Sequence, residues 1–312
     1  MATVLITGGT GLIGTALSKM LIAKGYAVIV LTRNAKPAKD QMRFAAWDVA
    51  KGQIDKGALA EADYIVHLAG AGVVDKKWTA KRKQEIIDSR VKSGELIVSA
   101  LADTPNKVRA VIAASAIGWY GPDPSIPNPH PFTEDHPYHK SFLGETCYLW
   151  EQSLDPLLKT SIRLVKLRTG IVLSNEGGAF AEFKKPVRLG IAGILGSGKQ
   201  IISWIHMEDM CRQYIYAIEN DKISGVYNSV APQPVSNKEL TLKLAKRMKG
   251  NFHIPVNVPV FVLKLMMGDR SIEVLKSATV STEKMHKQGF TFFYPSIDAA
   301  INELVPKTAA KS

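Results

Sequence analysis

The chain has 312 residues, 46% hydrophobic and 22% charged, the balance of a globular protein with enough apolar material for a large core. Its 40 Lys and Arg against 28 Asp and Glu leave a formal charge of +12, but the basic residues are scattered. Even the densest stretch, Lys76, Lys77, Lys81, Arg82 and Lys83, comes with no recognition motif, so no nucleic-acid partner is expected.

Along the chain, Thr3–Thr7 is a short β-branched run that leads into glycines and reads as a buried strand. Leu12, Ile13, Ala16, Leu17, Met20 and Leu21 then recur at helical spacing, and Gly25 stands where a C′ glycine ends a helix. Residues 76–83 read as part of a further helix. Apolar strands are expected at 27–31, 44–47, 64–68, 108–114 and 162–167, the last two preceded by helix-like segments. Strands apolar along their whole length, alternating with helices, indicate an α/β protein with a doubly wound, Rossmann-type parallel sheet covered on both faces.

After about residue 175 glycine and proline become frequent and the alternation lapses. Ala231-Pro232-Gln233-Pro234-Val235 precedes an amphipathic helix at 238–249, and the aromatic run 290–294 reads as a strand. The expected organisation is a cofactor-binding domain at 1–175, with a returning segment at about 205–230. A smaller C-terminal α+β lobe on the substrate side follows at 176–312, with a tail at about 252–304. No apolar run nears the ~20 residues that span a bilayer. Met1 to Ile6 has neither the basic nor the apolar region of a secretory leader, so a cytoplasmic location and no membrane partner are expected. The two cysteines, Cys147 and Cys211, form no CxxC pair and are expected to be reduced and mostly buried.

The segment from Thr7 to Gly14, Thr-Gly-Gly-Thr-Gly-Leu-Ile-Gly, sets glycines between a strand and a helix. Gly8 permits the tight turn, Gly11 lets a pyrophosphate approach the backbone, and Gly14 lets helix and strand pack closely. With Thr10, Leu12 and Ile13 these residues form a phosphate-binding turn whose free N–H groups and positive helix end face the ligand. About 20 residues on, an NAD site places an acid on the ribose. Here the strand ends Leu31-Thr32-Arg33-Asn34, without one. Thr32 and Arg33, with Lys36 and Lys39 nearby, suit a 2′-phosphate and point to NADP(H), unless Arg33 is a solvated loop residue. Asp48, after the third strand, is placed either to touch the adenine or to form a strand-end turn.

From these residues onward the chain resembles the extended short-chain dehydrogenase/reductase superfamily. The likeness continues in His67-Leu68-Ala69-Gly70, in the run from Ala114 to Gly121, in Thr133-Glu134-Asp135 and in the run from Leu167 to Leu173. Trp78, Ser89-Arg90-Val91, Trp150-Glu151, Gly177-Gly178-Ala179, the run from Gly196 to Gln200, Ser203-Trp204-Ile205-His206 with Asp209, Asn228 to Pro232, and Gly289-Phe290 with Phe293-Tyr294-Pro295 narrow it. They are similar to the epimerase-like branch that carries a C-terminal domain of unknown function. That resemblance spans nearly the whole chain and implies cofactor contacts at Thr32, Arg33, Leu68, Ala69, Gly70, Glu85, Arg90 and Val172. On residue spacing alone, Glu85 and Arg90 also read as a solvated i, i+5 pair.

The superfamily's chemistry uses a Tyr and a Lys four residues apart, with a Ser or Thr, to move a proton while hydride exchanges with the nicotinamide. None of the nine tyrosines has a lysine at i+4. Aligned on the quoted motifs, the tyrosine position falls on Leu143, the lysine position on Cys147 and the Ser/Thr position on Ala116. Ser115 and Tyr120, at the end of a central strand, are the remaining catalytic candidates, with bonding to backbone or core packing as their alternatives. His206, within an apolar run, reads as a core histidine. His130, His136 and His139 with Asp135 lack helix-face spacing and read as a metal-free loop. The stretch from Gly193 to Lys199 matches half of a nucleotide-triphosphate loop, but Gln200 supplies no Mg²⁺ hydroxyl, and no strand is expected to lead in with a helix following. The expectation is an NADP(H)-binding oxidoreductase or epimerase-like protein acting on a small molecule of unknown identity. The alternative is a sensor or regulatory protein that binds NADP(H) without turnover, and a homodimer remains an open assembly state.

Overall fold

A computed structural model describes residues 1–34, 37 and 41–306. Its strands are β1 (Thr3–Thr7), β2 (Ala27–Thr32), β3 (Met42–Asp48), β4 (Gln53–Ile54), β5 (Tyr64–His67), β6 (Ala110–Ala116) and β7 (Arg163–Thr169). The later ones are β8 (Ile171–Leu173), β9 (Ile191–Leu195), β10 (Ile201–Ile202), β11 (Trp204–His206), β12 (Gly225–Ser229), β13 (Val235–Ser236) and β14 (Ile254–Val258). The helices are α1 (Leu12–Ala23), α2 (Lys56–Glu61), α3 (Ala80–Asp103), α4 (Phe142–Gln152), α5 (Ala179–Arg188), α6 (Met207–Glu219), α7 (Asn237–Lys249) and α8 (Val260–Met267). Shorter ones follow, and Ile297–Leu304 closes the series.

Eight strands form one sheet in the order β12-β7-β6-β5-β1-β2-β3-β4. β1 is parallel to both neighbours, with Leu5 opposite Ile29 and Ile65. The β2–β3 and β5–β6 pairs are also parallel, and β4 turns back antiparallel on β3. The chain winds outward in one direction through β2 and β3 and in the other through β5 and β6, so the crevice between β1 and β5 is the topological switch point where such sheets bind ligands. Leu5, Ile29, Leu31, Ile65, Val111 and Ala113 share a core with Leu96, Ile97, Ala100 and Leu101 of α3. The alternating residues Val4, Ile6, Val28, Val30, Val66 and Ile112 are equally buried. Neither face of these strands meets water, which is why they read as continuous apolar runs rather than alternating ones.

The chain divides into two units. The first contains Met1–Trp119, Pro137–Arg168 and Cys211–Tyr227; the second contains Tyr120–His136, Thr169–Met210 and Asn228–Ser312. The second has its own core, in which Phe180 and Val187 of α5, Trp204, Leu240 and Leu244 of α7, and Ala300 and Ile301 pack together. α7 is capped by the Ser236 hydroxyl on the Glu239 N–H and ends at Gly250, whose positive φ of 60° needs a glycine. Three two-stranded sheets complete it: β8 with β11 and β9 with β14 are parallel, and β10 with β13 is antiparallel.

Some expectations require correction. Residues 290–294 are not a strand, because the Phe293 and Tyr294 N–H groups bond to the Asp209 carboxylate (2.9 and 2.8 Å), while Phe290 and Phe292 turn inward edge to face. α3 starts at Ala80, capped by the Thr79 hydroxyl, so Lys76 and Lys77 lie before the helix. A boundary at residue 175 misses the excursion Tyr120–His136, which joins the second unit.

Candidate cofactor site

The turn after β1 is built by steric exclusion. Gly8 has φ +67°, and a Cβ there would stand 2.9 Å from the Leu68 carbonyl. A Cβ on Gly14 would meet the Gly8 oxygen at 2.4 Å and Gly9 Cα at 2.5 Å, so this glycine packs the helix against the turn itself rather than against the strand. The strand contact falls instead to Gly9, whose Cβ would strike Val30 of β2 at 2.7 Å. Gly11 is different: its Cβ would approach the Gly8 oxygen alone, at 3.2 Å, and the residue is exposed. Gly11 is also the N-cap of α1, without a capping side chain, and the first helical bond runs from the Thr15 N–H to its carbonyl (2.9 Å). The N–H groups of Leu12, Ile13 and Gly14 therefore head α1 with no acceptor among the described residues, and Thr10 is exposed beside them. A cradle open on one side, lined by free donors at the positive end of a helix, fits a pyrophosphate.

The neighbouring loop after β5 is held in place by a relay not recognised in the sequence. The Thr7 hydroxyl oxygen accepts the Leu68 and Ala69 N–H groups (3.1 and 3.2 Å), so its own proton goes to His67 Nδ1 at 2.8 Å. That assigns the remaining proton to Nε2, which faces Ser93 Oγ at 3.3 Å, and Ser93 passes its proton to the Ser89 or Arg90 carbonyl. Thr7, His67 and Ser93 are all fully buried. Burial, reinforced by the nearby Arg90 cation, lowers His67 from 6.5 to about 3, and the ring stays neutral. The threonine that opens the glycine motif and the run His67-Leu68-Ala69-Gly70 were the available signals, though neither showed the relay; Ser93 had none.

α3 holds the other side of that loop. Ser89 Oγ accepts the Ala71 N–H (2.9 Å), and Arg90 Nη1 donates to the Ala71 and Ile86 carbonyls (both 3.0 Å). A Cβ on Gly70 would lie 3.1 Å from the Arg90 guanidinium carbon. Arg90 also sits over the Trp150 ring at 5.0 Å. Glu85 does not pair with Arg90, correcting the i, i+5 alternative. It is exposed and bonds Arg82 at 2.8 Å, which holds its carboxyl below the usual range. Arg82 itself is buried and donates to the Gly72 carbonyl, so the densest basic stretch is partly spent on structure.

At the end of β2, Thr32 is half-buried and its hydroxyl accepts the Asn34 N–H, while Arg33 is exposed and has no ion pair among the described residues. Lys36 and Lys39 lie outside the described residues. Asp48 ends β3 and caps the following turn, accepting the Ala50 and Lys51 N–H groups at 3.0 and 3.3 Å.

At the C-terminal end of β6, Ser115 donates to Glu151 Oε1 at 2.6 Å, and Arg168 clamps the same carboxylate through Nε (2.8 Å) and Nη2 (3.1 Å). All three are buried, and the Arg168 guanidinium lies 3.5 Å from the Trp119 ring centre. Leu143 and Cys147 share one face of α4, each 3.4 Å from the position of a Gly118 Cβ, as the i, i+4 spacing requires. Cys147 and Cys211 are buried and form no disulfide among the described residues. In the second unit, the buried Tyr120 donates to Asn228 Oδ1 (2.7 Å) and stacks on Phe132 at 5.2 Å. Asn228 is fixed in turn by Glu134 and the Ser281 carbonyl. Val172 belongs to the second unit too, paired with Ile205 of β11.

The remaining candidates fall to structural roles. His206 is buried in the second unit, bonded to Glu303 at 2.9 Å and packed on Tyr294. His136 Nδ1 accepts the Thr133 N–H, and no group of three or more His, Cys, Asp or Glu stands ready for a metal among the described residues. β9 does lead into Gly196 and Gly198, contrary to expectation, but β10 follows instead of a helix, and Gln200 is buried with its amide on the Leu195 carbonyl.

The NAD dependent epimerase/dehydratase family profile matches residues 4–229, and that of a domain of unknown function, DUF1731, matches residues 258–304. An epimerase family protein of Staphylococcus haemolyticus is 33% identical over 309 residues, covering 98% of this chain and 99% of that one. The epimerase family protein YfhF of Bacillus subtilis is 32% identical, covering 96% and 97%. Among solved structures, the human epimerase family protein SDR39U1 (isoform 2) with NADPH superposes with a TM-score of 0.86 at 29% identity, covering 98% of this chain and 100% of that one. A UDP-N-acetylglucosamine 4-epimerase from Bacillus cereus (TM-score 0.75, 17% identity, covering 97% and 98%) shares the fold.

Proposed function

Since this chain belongs to the NAD dependent epimerase/dehydratase family, a family of NAD(P)-binding Rossmann proteins, we propose that its first unit binds NADP(H) and serves as a cytoplasmic oxidoreductase or epimerase-like enzyme of small molecules. One observation carries the choice of cofactor: the free donors at the head of α1 share the sheet's C-terminal edge with Arg33, an exposed cation without an ion pair among the described residues, where an NAD site would carry an acid. The N–H groups of Leu12, Ile13 and Gly14 would hold the pyrophosphate, Thr32 and Arg33 the 2′-phosphate, and residues 68–70 the adjoining wall of the crevice. Asp48, Glu85 and Arg90 complete the set within this unit, Arg90 by positioning the wall. When bound, the cofactor supplies hydride exchange. The related human protein is described with NADPH, which supports this choice. Titration calorimetry tests it: NADPH should bind more tightly than NADH, and Arg33→Ala should remove about 1.5–3 kcal/mol from NADPH alone. Equal affinities in the parent protein would refute it.

A second reading, cofactor binding without turnover, is favoured by a separate observation. The hydroxyls of Ser115 and Tyr120 are already donated to Glu151 and Asn228, and the α4 face holds Leu143 and Cys147, neither of which forms a phenol–ammonium pair. Rapid turnover of a small-molecule substrate that survives Ser115→Ala and Tyr120→Phe would exclude both residues as proton donors.

A further inference from the structure

The charge of +12 and a group of exposed apolar side chains are not used by the cofactor site. They meet in the second unit, along residues 185–195 and 246–276. In the β9–β14 ribbon, Ile254 stands opposite Ile191 and Val256 opposite Gly193. Ala192 and Ile194 are buried, so Ile191, Ile254 and Val256 occupy the outer face, where Ile254 is 70% exposed. The water-facing side of an ordinary ribbon is polar; this one is aliphatic. Phe252, 88% exposed, leads into β14, and Leu189 stands just before Gly190, whose carbonyl accepts the Ile254 N–H (2.8 Å).

α8, which follows β14 directly, adds further exposed apolar side chains. Leu263 is its buried residue, and Phe261 and Leu265, two positions either side, lie on the opposite face at 71% and 82% exposure, with Met266 beside them. Seven of the eight residues of α8 are apolar, a composition that belongs in a core or in lipid, yet the outer side of this helix is bare. The same segments carry cations. Arg188 ends α5, Lys246 and Lys249 end α7, and Lys264 lies on α8, none with an ion pair among the described residues. Residues 185–195 contain no acid, and 246–276 contain Asp269 and Glu273, the latter paired with Lys276.

We propose that this face docks the protein peripherally on an anionic membrane surface. The cations meet lipid phosphates, while Phe252, Phe261, Leu265 and Met266 enter the headgroup and acyl boundary. Charge decides the occupant: a two-fold pairing of this face with a second copy would set the basic rim against itself. The expectation of no membrane partner rested on the lack of a spanning run, and surface docking needs none.

Sedimentation of the full chain with vesicles is the test. Phosphatidylcholine vesicles containing about a third phosphatidylglycerol should carry the protein down, phosphatidylcholine alone should not, and rising salt should release it. Phe261→Ser with Leu265→Ser should weaken partitioning by more than about tenfold. Lys249→Glu with Lys264→Glu should weaken it by at least about fivefold per cation, the fold-change equivalent to ~1 kcal/mol for each. Both variants should keep the parent's circular dichroism, and the charge variant changes only surface residues, so loss of binding there is not loss of fold. No pelleting with anionic vesicles, equal pelleting with both, or parent-like binding by both variants overturns the proposal. So does a monomer–dimer equilibrium that Phe261→Ser with Leu265→Ser abolishes, which would assign the face to a second copy.

Discussion

A single methyl group separates the two kinds of glycine in the turn after β1. In Gly14→Ala the new Cβ would lie 2.4 Å from the Gly8 oxygen and 2.5 Å from Gly9 Cα, both backbone atoms that no rotamer change can move. The turn or α1 must shift, and overpacking of this kind costs about 1–3 kcal/mol, a fall in melting temperature of roughly 2–12 °C. In Gly11→Ala the same methyl meets the Gly8 oxygen alone, at 3.2 Å, with φ at −78°, which any residue adopts. Stability should stay within about 1 kcal/mol, the scale of an N-cap change, while the methyl projects into the space meant for the pyrophosphate. Thermal melts read the first effect and NADPH fluorescence enhancement the second. Gly14→Ala melting like the parent, or Gly11→Ala binding NADPH unchanged, would refute the steric argument.

His67 should make stability pH-dependent. Its folded pKa of about 3 lies below the ordinary 6.5, so the unfolded chain binds the extra proton and stability falls as pH drops through that window, by about 2 kcal/mol at pH near 5. Urea titrations of the parent and His67→Asn at pH near 7 and near 5 should show this loss shrink in the variant. Glu151→Gln leaves Arg168 buried without its counter-charge and should cost about 3–5 kcal/mol in urea. Ser115→Ala, losing one bond to the same carboxylate, should cost only about 1–3 kcal/mol. On common sugar nucleotides turnover should be slow, because a missing general acid or base typically removes a factor of about 10²–10⁴; brisk conversion in a coupled assay would show that another group moves the proton.

The strands of the large sheet were readable because burial on both faces leaves an apolar run that no alternating pattern obscures, as in Thr3–Thr7 and Ala27–Thr32. The glycine turn was readable too, since its constraint is local: a strand, a positive φ and a helix start within seven residues of Gly8. What escaped depends on partners distant in the chain. His67 meets Thr7 sixty residues away, Phe293 and Tyr294 spend their N–H groups on Asp209 instead of a neighbouring strand, and Glu151 is claimed by Ser115 and Arg168. Aromatic residues in sequence give a propensity for strand, but they cannot show which acceptor will reach them first.

The two units are not separable pieces of chain. The backbone passes from one to the other after Trp119, His136, Arg168, Met210 and Tyr227. A truncation near residue 175 would therefore strand Tyr120–His136 without its partners and remove the segment Cys211–Tyr227 that supplies most of β12, the edge of the sheet. Nor is the C-terminal match at 258–304 a cassette. Ala300 and Ile301 are buried with Phe180 and Trp204, and the ribbon leading into the matched region needs β9. Such a tail cannot be moved to another protein by recombination at one point.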